Sequence, residues 1–282
     1  MTRRTLIVLM VVAAYVAAVT VVPLLDKLVV FPSVSRIDPG SATQKLIPLE
    51  RGELEIWTAT SAAARVKGSA ASFVLRFYGN ADRAERWVAT EAEMFPDREV
   101  EVWGVNYPGF GGSTGPARLA RIGPAVLAAF DELKRTAGER PIIVSGTSFG
   151  TIAALHVVAE RDAAGVVLHN PPALREMIFK GHGWWNLWLL AGPLSWKVPT
   201  ALDSLANARA ANERAVFLLA ENDEIVAPRF QELVVNAYAG DKRLINLGGA
   251  GHLTPLDAEA LVSLRAGIDW LVPADVAIAG VR

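Results

Sequence analysis

The chain has 282 residues, with 28 Lys plus Arg against 29 Asp plus Glu for a formal charge of −1, and it has no cysteine. That length suits one large α/β domain behind an N-terminal segment, and an even charge without a basic stripe argues against a nucleic-acid partner. Without cysteine, disulfides, thiolate metal sites, Cys nucleophiles and an acylated Cys anchor are all excluded, and the redox compartment stays open.

Arg3 and Arg4 precede an uncharged run, residues 5–25, which at helical rise reaches about 31 Å and would span a bilayer core of about 30 Å. Residues 1–27 are therefore expected to form a membrane anchor. The small residues Val16-Ala17-Ala18 leave open a cleaved signal and a secreted product. With both arginines ahead of the run, the main domain that follows is expected on the extracytoplasmic (periplasmic) side.

Residues 28–282 read as one domain. Apolar runs at 46–49 and 54–58 around Arg51-Gly52 predict a hairpin. Short β-branched runs at 72–77, 100–105, 142–144, 166–168, 216–219 and 244–247 predict buried strands. Amphipathic stretches at 83–95, 116–136, 149–160, 228–238 and 257–271 predict helices between them. Repeated β-then-α order gives an α/β fold, a mostly parallel sheet flanked by helices on both faces. The alternation breaks at about 170–209, where Pro171-Pro172, Gly181, Gly183, Gly192, Pro193 and Pro199 lie among large apolar residues, including Trp184, Trp185, Trp188 and Trp196. This insertion is expected to be a small helical cap whose aromatics pack on the core, line an apolar substrate pocket or dip into a membrane interface.

Gly146-Thr147-Ser148-Phe149-Gly150 follows the strand at 142–144 and opens the helix at 149–160. A tight strand-to-helix turn lifts a hydroxyl clear of the backbone, and flanking glycines let neighbouring chain pass without a Cβ clash. Ser148 is the candidate nucleophile, and a serine needs a base. Of the four histidines, His156 falls inside a helix, His169 ends a buried strand and His182 lies in the cap, and all three read as structural. His252 follows the strand at 244–247 across Gly248-Gly249-Ala250-Gly251, where a turn can deliver an imidazole to the sheet edge. Asp223, after the strand at 216–219, is the candidate carboxylate for the imidazole; spacing alone leaves Glu221 and Glu224 open. The order Ser, Asp, His is that of an α/β-hydrolase. An oxyanion would be held by the N–H groups of Phe149 and Asn80. Tyr78 and Gly79, with Trp184 and Trp188 of the cap, are expected to line the substrate.

These motifs resemble the α/β-hydrolase superfamily, and within it the membrane-anchored, prolyl-oligopeptidase-related branch of single-domain serine hydrolases. The similar segments are Leu28-Val29-Val30-Phe31-Pro32, Phe77 to Ala81 as an oxyanion loop, and Asn106-Tyr107-Pro108-Gly109-Phe110-Gly111-Gly112-Ser113. Asp223, Val226 and Pro228 also match the spacing around the family's acid. The departure is Tyr78, where that branch carries histidine. The resemblance implies a serine hydrolase working through an acyl-enzyme, and the apolar cap and the expected membrane proximity favour an ester, thioester or acyl lipid as substrate. Peptidase or acyltransferase chemistry on the same residues, or an idle scaffold binding an apolar ligand at the membrane, are the alternatives. Gly109, Gly111, Gly112 and Gly115 fail the dinucleotide spacing, zinc-protease and P-loop signatures are absent, and no cofactor or metal is expected.

Overall fold

The structure is a computed structural model, and it describes residues 2–20, 24–181 and 189–272. Helix α1 (Arg3–Thr20) is followed by α2 (Leu24–Val29), β1 (Thr43–Pro48), β2 (Glu53–Thr60), α3 (Ala62–Lys67) and β3 (Ser72–Phe77). A 3₁₀ turn (Ala84–Arg86) leads into α4 (Val88–Glu93) and β4 (Val100–Val105). Then come α5 (Leu119–Ala137), β5 (Ile142–Thr147), α6 (Phe149–Glu160) and β6 (Gly165–His169). Short helices α7 (Leu174–Glu176), α8 (Ala191–Trp196) and α9 (Ser204–Ala210) precede β7 (Ala215–Ala220), α10 (Pro228–Ala237), β8 (Lys242–Leu247) and α11 (Ala258–Leu271).

The eight strands form one sheet in the order β1-β2-β4-β3-β5-β6-β7-β8. The β1–β2 and β2–β4 pairs are antiparallel and every other pair is parallel. Successive side chains on a strand point to opposite faces, so each central strand feeds two cores. Val144, Leu168 and Phe217 join one with α5, α6, α9 and α10, while Ile143, Val167 and Leu218 join the other with α4 and α11. Helix α6 is buried on nearly every side, as its all-round apolar sequence dictates. On α5 only one stripe is buried, Ile122, Val126, Phe130 and Leu133, the spacing of one helix face.

Two expected helices differ in extent. The stretch at 83–95 breaks into the 3₁₀ turn and α4, because Arg83 and Glu85 turn inward as a buried pair and the Ala84 N–H donates to Asn106 Oδ1 at 2.9 Å. The stretch at 116–136 becomes helical only at Leu119, whose N–H is capped from a distance by Asp26 Oδ1 at 2.8 Å; a carboxylate there also favours the helix dipole. The interruption at 170–209 is not all cap. Leu202 and Ala208 are fully buried and α9 packs on α6 and α10, so the last part of the insertion is the crossover helix that a parallel β6–β7 pair requires. Helix α1 exposes Leu6, Leu9, Val11 and Val12, and its Tyr15 hydroxyl donates to the Leu189 carbonyl in the turn just before α8. Among the described residues, no helix is long and apolar enough to cross a membrane.

Candidate active site

β5 ends at Thr147 and α6 begins at Phe149, leaving Ser148 between them with φ 51° and ψ −122°. Positive φ is uncommon outside glycine and costs backbone strain. Packing imposes it. A Cβ on Gly146 would lie 2.4 Å from the Gly150 carbonyl oxygen, and one on Gly150 would lie 2.2 Å from that of Phe77, so only glycine lets the turn nest against β3. The Ser148 N–H donates to the His169 carbonyl at 2.8 Å, and the Ser148 carbonyl accepts from the Thr151 N–H and hydroxyl at 2.9 and 2.7 Å. The serine is thus held on both sides with its Oγ outward.

The glycine-rich loop after β8 carries His252 back over this turn. His252 Nε2 lies 3.0 Å from Ser148 Oγ, and Nδ1 lies 2.7 Å from Asp223 Oδ2. Asp223 is buried. Its Oδ1 accepts the Ile225 and Val226 N–H groups at 2.9 and 2.6 Å, and its Oδ2 accepts Gln231 Nε2 at 3.1 Å. Charge-assisted bonds of this kind are the strong ones, and they leave one oxygen aimed at the imidazole. The two neighbouring glutamates have other work: Glu221 accepts the Gly249 N–H at 2.9 Å and Glu224 accepts the His252 N–H at 3.2 Å. Bonds from its own backbone N–H and from that of His252 hold the Glu224 carboxyl below its usual range. Both clamp the backbone of the histidine loop; Asp223 alone meets the ring. Gln231, eight residues on and fully buried, gave no signal in the sequence beyond its helix.

The Phe149 N–H, at the first position of α6, is a helix N-terminal donor beside Ser148 with no side-chain cap. Gly79 approaches from β3: a Cβ there would stand 3.7 Å from Ser148 Cβ. The Asn80 side chain faces away from the serine, its Nδ2 donating to the Val29 carbonyl at 2.5 Å and its Oδ1 accepting the Phe31 N–H at 2.9 Å. It fastens the chain between α2 and β1 to this loop. Tyr78, expected to line the substrate, is instead 2 % exposed. Its hydroxyl donates to Glu91 Oε2 at 2.7 Å, and burial with that carboxylate alongside pushes its pKa well up. A tyrosine can sit there because Gly104 opposite has no side chain; a Cβ on Gly104 would reach within 3.0 Å of the Tyr78 ring.

The turn from Asn106 to Ser113 buttresses the same loop. The Tyr107 hydroxyl donates to the Tyr78 carbonyl at 3.1 Å, and its ring packs against Phe77, Phe110 and Phe149. Beneath it lies buried Glu55, which accepts from Asn106 Nδ2 at 2.6 Å and from the Gly112 N–H at 2.8 Å. A buried carboxylate is tolerated only when so bonded. Gly111, at φ 52°, leaves it room, since a Cβ would come within 2.4 Å of Glu55 Oε2.

His156 is buried in α6, and burial lowers its pKa. His169 lies behind the elbow, its pKa lowered to about 4 by burial and by nearby Arg76 and His252. Trp184, Trp185, Trp188 and His182, expected in the cap, lie outside the described residues. Trp196 is 87 % exposed. Among the described residues no group of three or more His, Asp or Glu could hold a metal ion.

Residues 74–279 match a family model described as alpha/beta hydrolase fold. No curated protein matches. Among solved structures, the chain is similar to an esterase of Pyrococcus furiosus, at TM-score 0.63 and 17 % identity over 86 % of this chain and 97 % of that one. It is also similar to an acylaminoacyl peptidase of Pyrococcus horikoshii, at TM-score 0.60 and 12 % identity over 82 % of this chain and 40 % of that one. A bacterial membrane phospholipase A aligns over 97 % of this chain and 100 % of that one, at TM-score 0.58 and 14 % identity.

Proposed function

We propose, for a chain that belongs to the alpha/beta hydrolase fold family, that it is a serine hydrolase cleaving an ester, thioester or acyl-lipid bond through an acyl-enzyme. The observation that carries the proposal is the unbroken hydrogen-bonded line from Ser148 Oγ through His252 to Asp223, at 3.0 and 2.7 Å. In this reading His252 Nε2 takes the Ser148 proton as Oγ attacks the acyl carbonyl, while Asp223 holds Nδ1–H and stabilises the imidazolium. The Phe149 and Asn80 backbone N–H groups receive the oxyanion. The proton on Nε2 then passes to the leaving oxygen or sulfur, and a water activated by the same nitrogen releases the acid.

An acyl lipid is the favoured substrate class. The support is the apolar surface shared by α1 and the cap, where Leu189 and Trp196 are exposed and Tyr15 touches Leu189. The full-length likeness to a membrane phospholipase A points the same way. Membrane attachment through residues 1–27, with the catalytic domain extracytoplasmic, belongs to the same proposal. It rests on Arg3 and Arg4 ahead of an uncharged run.

The test is fluorophosphonate labelling of membrane-expressed protein. Wild type is expected to label, and Ser148→Ala and His252→Ala are expected to lose labelling, the latter by about 10³-fold or more in rate. Folded wild type that does not label would overturn the enzyme reading in favour of a binding scaffold.

A further inference from the structure

Between the sheet and the helices α4 and α11 lies a slot of about 130 Å³ that neither Ser148 nor His252 lines. Its walls are apolar: Val102, Ile143, Val167 and Leu218 from the strands, Leu261 and Leu264 from α11. Its upper end is polar. Register places Arg76 beside Ser145 and Thr147 beside His169, so these four side chains share one sheet face and all border the slot.

The polar residues there are not equivalent. Arg76 is fully engaged, with Nε on Glu91 at 2.8 Å, Nη2 on the Thr147 hydroxyl at 2.8 Å and Nη1 on the Phe77 carbonyl at 3.2 Å. Its charge is matched by Glu91. The Ser145 hydroxyl and the His169 ring make no hydrogen bond among the described residues, and both residues are half-buried and open to the slot. A ligand filling the slot would cover these two groups, and it must then supply a partner or leave them with a desolvation penalty. His169 also holds its proton only below about pH 4, so at neutral pH it offers one N–H donor and one acceptor rather than a charge.

We propose that this slot is a binding site for a compact, neutral, apolar molecule bearing one hydroxyl or carbonyl group, which would hydrogen-bond to His169 and Ser145 while its body fills the apolar walls. Size supports a single small ring or short chain, since an apolar cavity of about 150 Å³ accepts benzene. At the polar end the Arg76–Glu91 pair has no net charge to offer an ion; the other cation of the lining, Arg265, is exposed at the helix side and donates to the Met94 carbonyl at 3.3 Å. The site is separate from the catalytic trio but adjoins it: Thr147 precedes Ser148, and the His169 carbonyl accepts the Ser148 N–H at 2.8 Å.

The probes are benzyl alcohol and toluene, titrated into full-length protein carrying ¹⁵N-labelled histidine; with four histidines in the chain, the ring resonances are separable. Benzyl alcohol is expected to move the His169 resonances saturably and to bind about tenfold more tightly than toluene, one hydrogen bond in a dry site being of that order. Val167→Phe, which fills the slot, should weaken benzyl alcohol binding about tenfold or more. Leu264→Trp should do the same from the helix side if the strand variant does not fold. Ser145→Ala should shrink the preference over toluene. Binding should persist in protein whose Ser148 carries a phosphonate adduct; the other arms use unmodified protein and stand whether or not the hydrolase reading holds. Absence of a saturable shift, equal affinity in folded Leu264→Trp, or loss of binding on modification of Ser148 would overturn the proposal.

Discussion

On the face of the sheet that carries α5, α6, α9 and α10, the backbone of α6 touches strand backbone, and the Ser148 turn is wedged where no Cβ fits. On the face that carries α4 and α11, side chains mediate the contact and a slot remains. The same strands build both faces from alternate residues, so the difference lies in the helices and in what each face must do. The close face fixes Ser148 at an unfavourable φ, and strain of that kind persists only where surrounding packing over-determines it. The looser face has no such demand, and it tolerates polar residues on an otherwise apolar wall.

Two helical glycines facing the sheet from opposite sides give the largest test of this contrast. Gly150→Ala puts a methyl 2.2 Å from the Phe77 carbonyl oxygen and 2.8 Å from that of Tyr78. Backbone must move, so a loss of about 3 kcal/mol or more is expected by chemical denaturation, together with slowed fluorophosphonate labelling because the displaced segment is the loop proposed to hold the oxyanion. Gly267→Ala in α11 meets only the Val216 methyls, at 3.0 and 3.1 Å. A small side-chain adjustment there is offset by the better helix propensity of alanine, worth up to about 1 kcal/mol. The net change should stay within about 1 kcal/mol. Equal losses in the two variants would mean that the faces are packed alike.

A second test uses pH. In the folded chain His169 keeps its pKa near 4, against an ordinary value of 6.5. Below about pH 6.5 the unfolded chain takes up a proton that the folded chain refuses, so this residue's contribution to stability falls as pH drops towards 4 and levels off below it. The loss should be on the order of 2 kcal/mol. His169→Phe should flatten that part of the profile, measured by urea unfolding at pH 7 and pH 4.5. Burial lowers the His156 pKa on the opposite face as well, but neighbouring Glu160 opposes the shift, so His156→Phe should flatten it less.

How much of this was legible in the sequence divides along similar lines. The central strands could be read because burial on both faces makes each a continuous apolar run. Ser148, Asp223 and His252 could be picked out because each sits in a turn directly after such a run, and the close approach of Gly150 to β3 follows from the motif's own spacing. What could not be read are pairings between distant segments. Asp26 caps a helix 93 residues later, Glu55 anchors a turn 57 residues on, and Asn80 ties down Val29 across 51 residues. A polar residue's partner leaves no local trace. For the same reason His169 read as an ordinary histidine ending a buried strand, Tyr78 read as a residue facing substrate, and helix α9 was absorbed into the cap by the proline- and tryptophan-rich chain before it.

The smallest expected effect is the most discriminating, because it compares adjacent residues on one strand. Val166 and Val167 on β6 are both buried, at 0 % and 6 % exposed, and point to opposite faces. Replacing either by isoleucine adds one methylene. At Val166, which is fully buried and does not line the slot, overpacking should cost about 1–2 kcal/mol. At Val167 it extends into the slot, where a buried methylene contributes about 0.8 kcal/mol. Val167→Ile should therefore be neutral or more stable by up to about that amount, and should weaken benzyl alcohol binding a few-fold by shortening the slot. Urea midpoints for the two single variants and the double variant read out both signs at once. Opposite signs would show that free volume is confined to the α4–α11 face, whereas matching losses would mean that the slot closes in solution and its walls already touch.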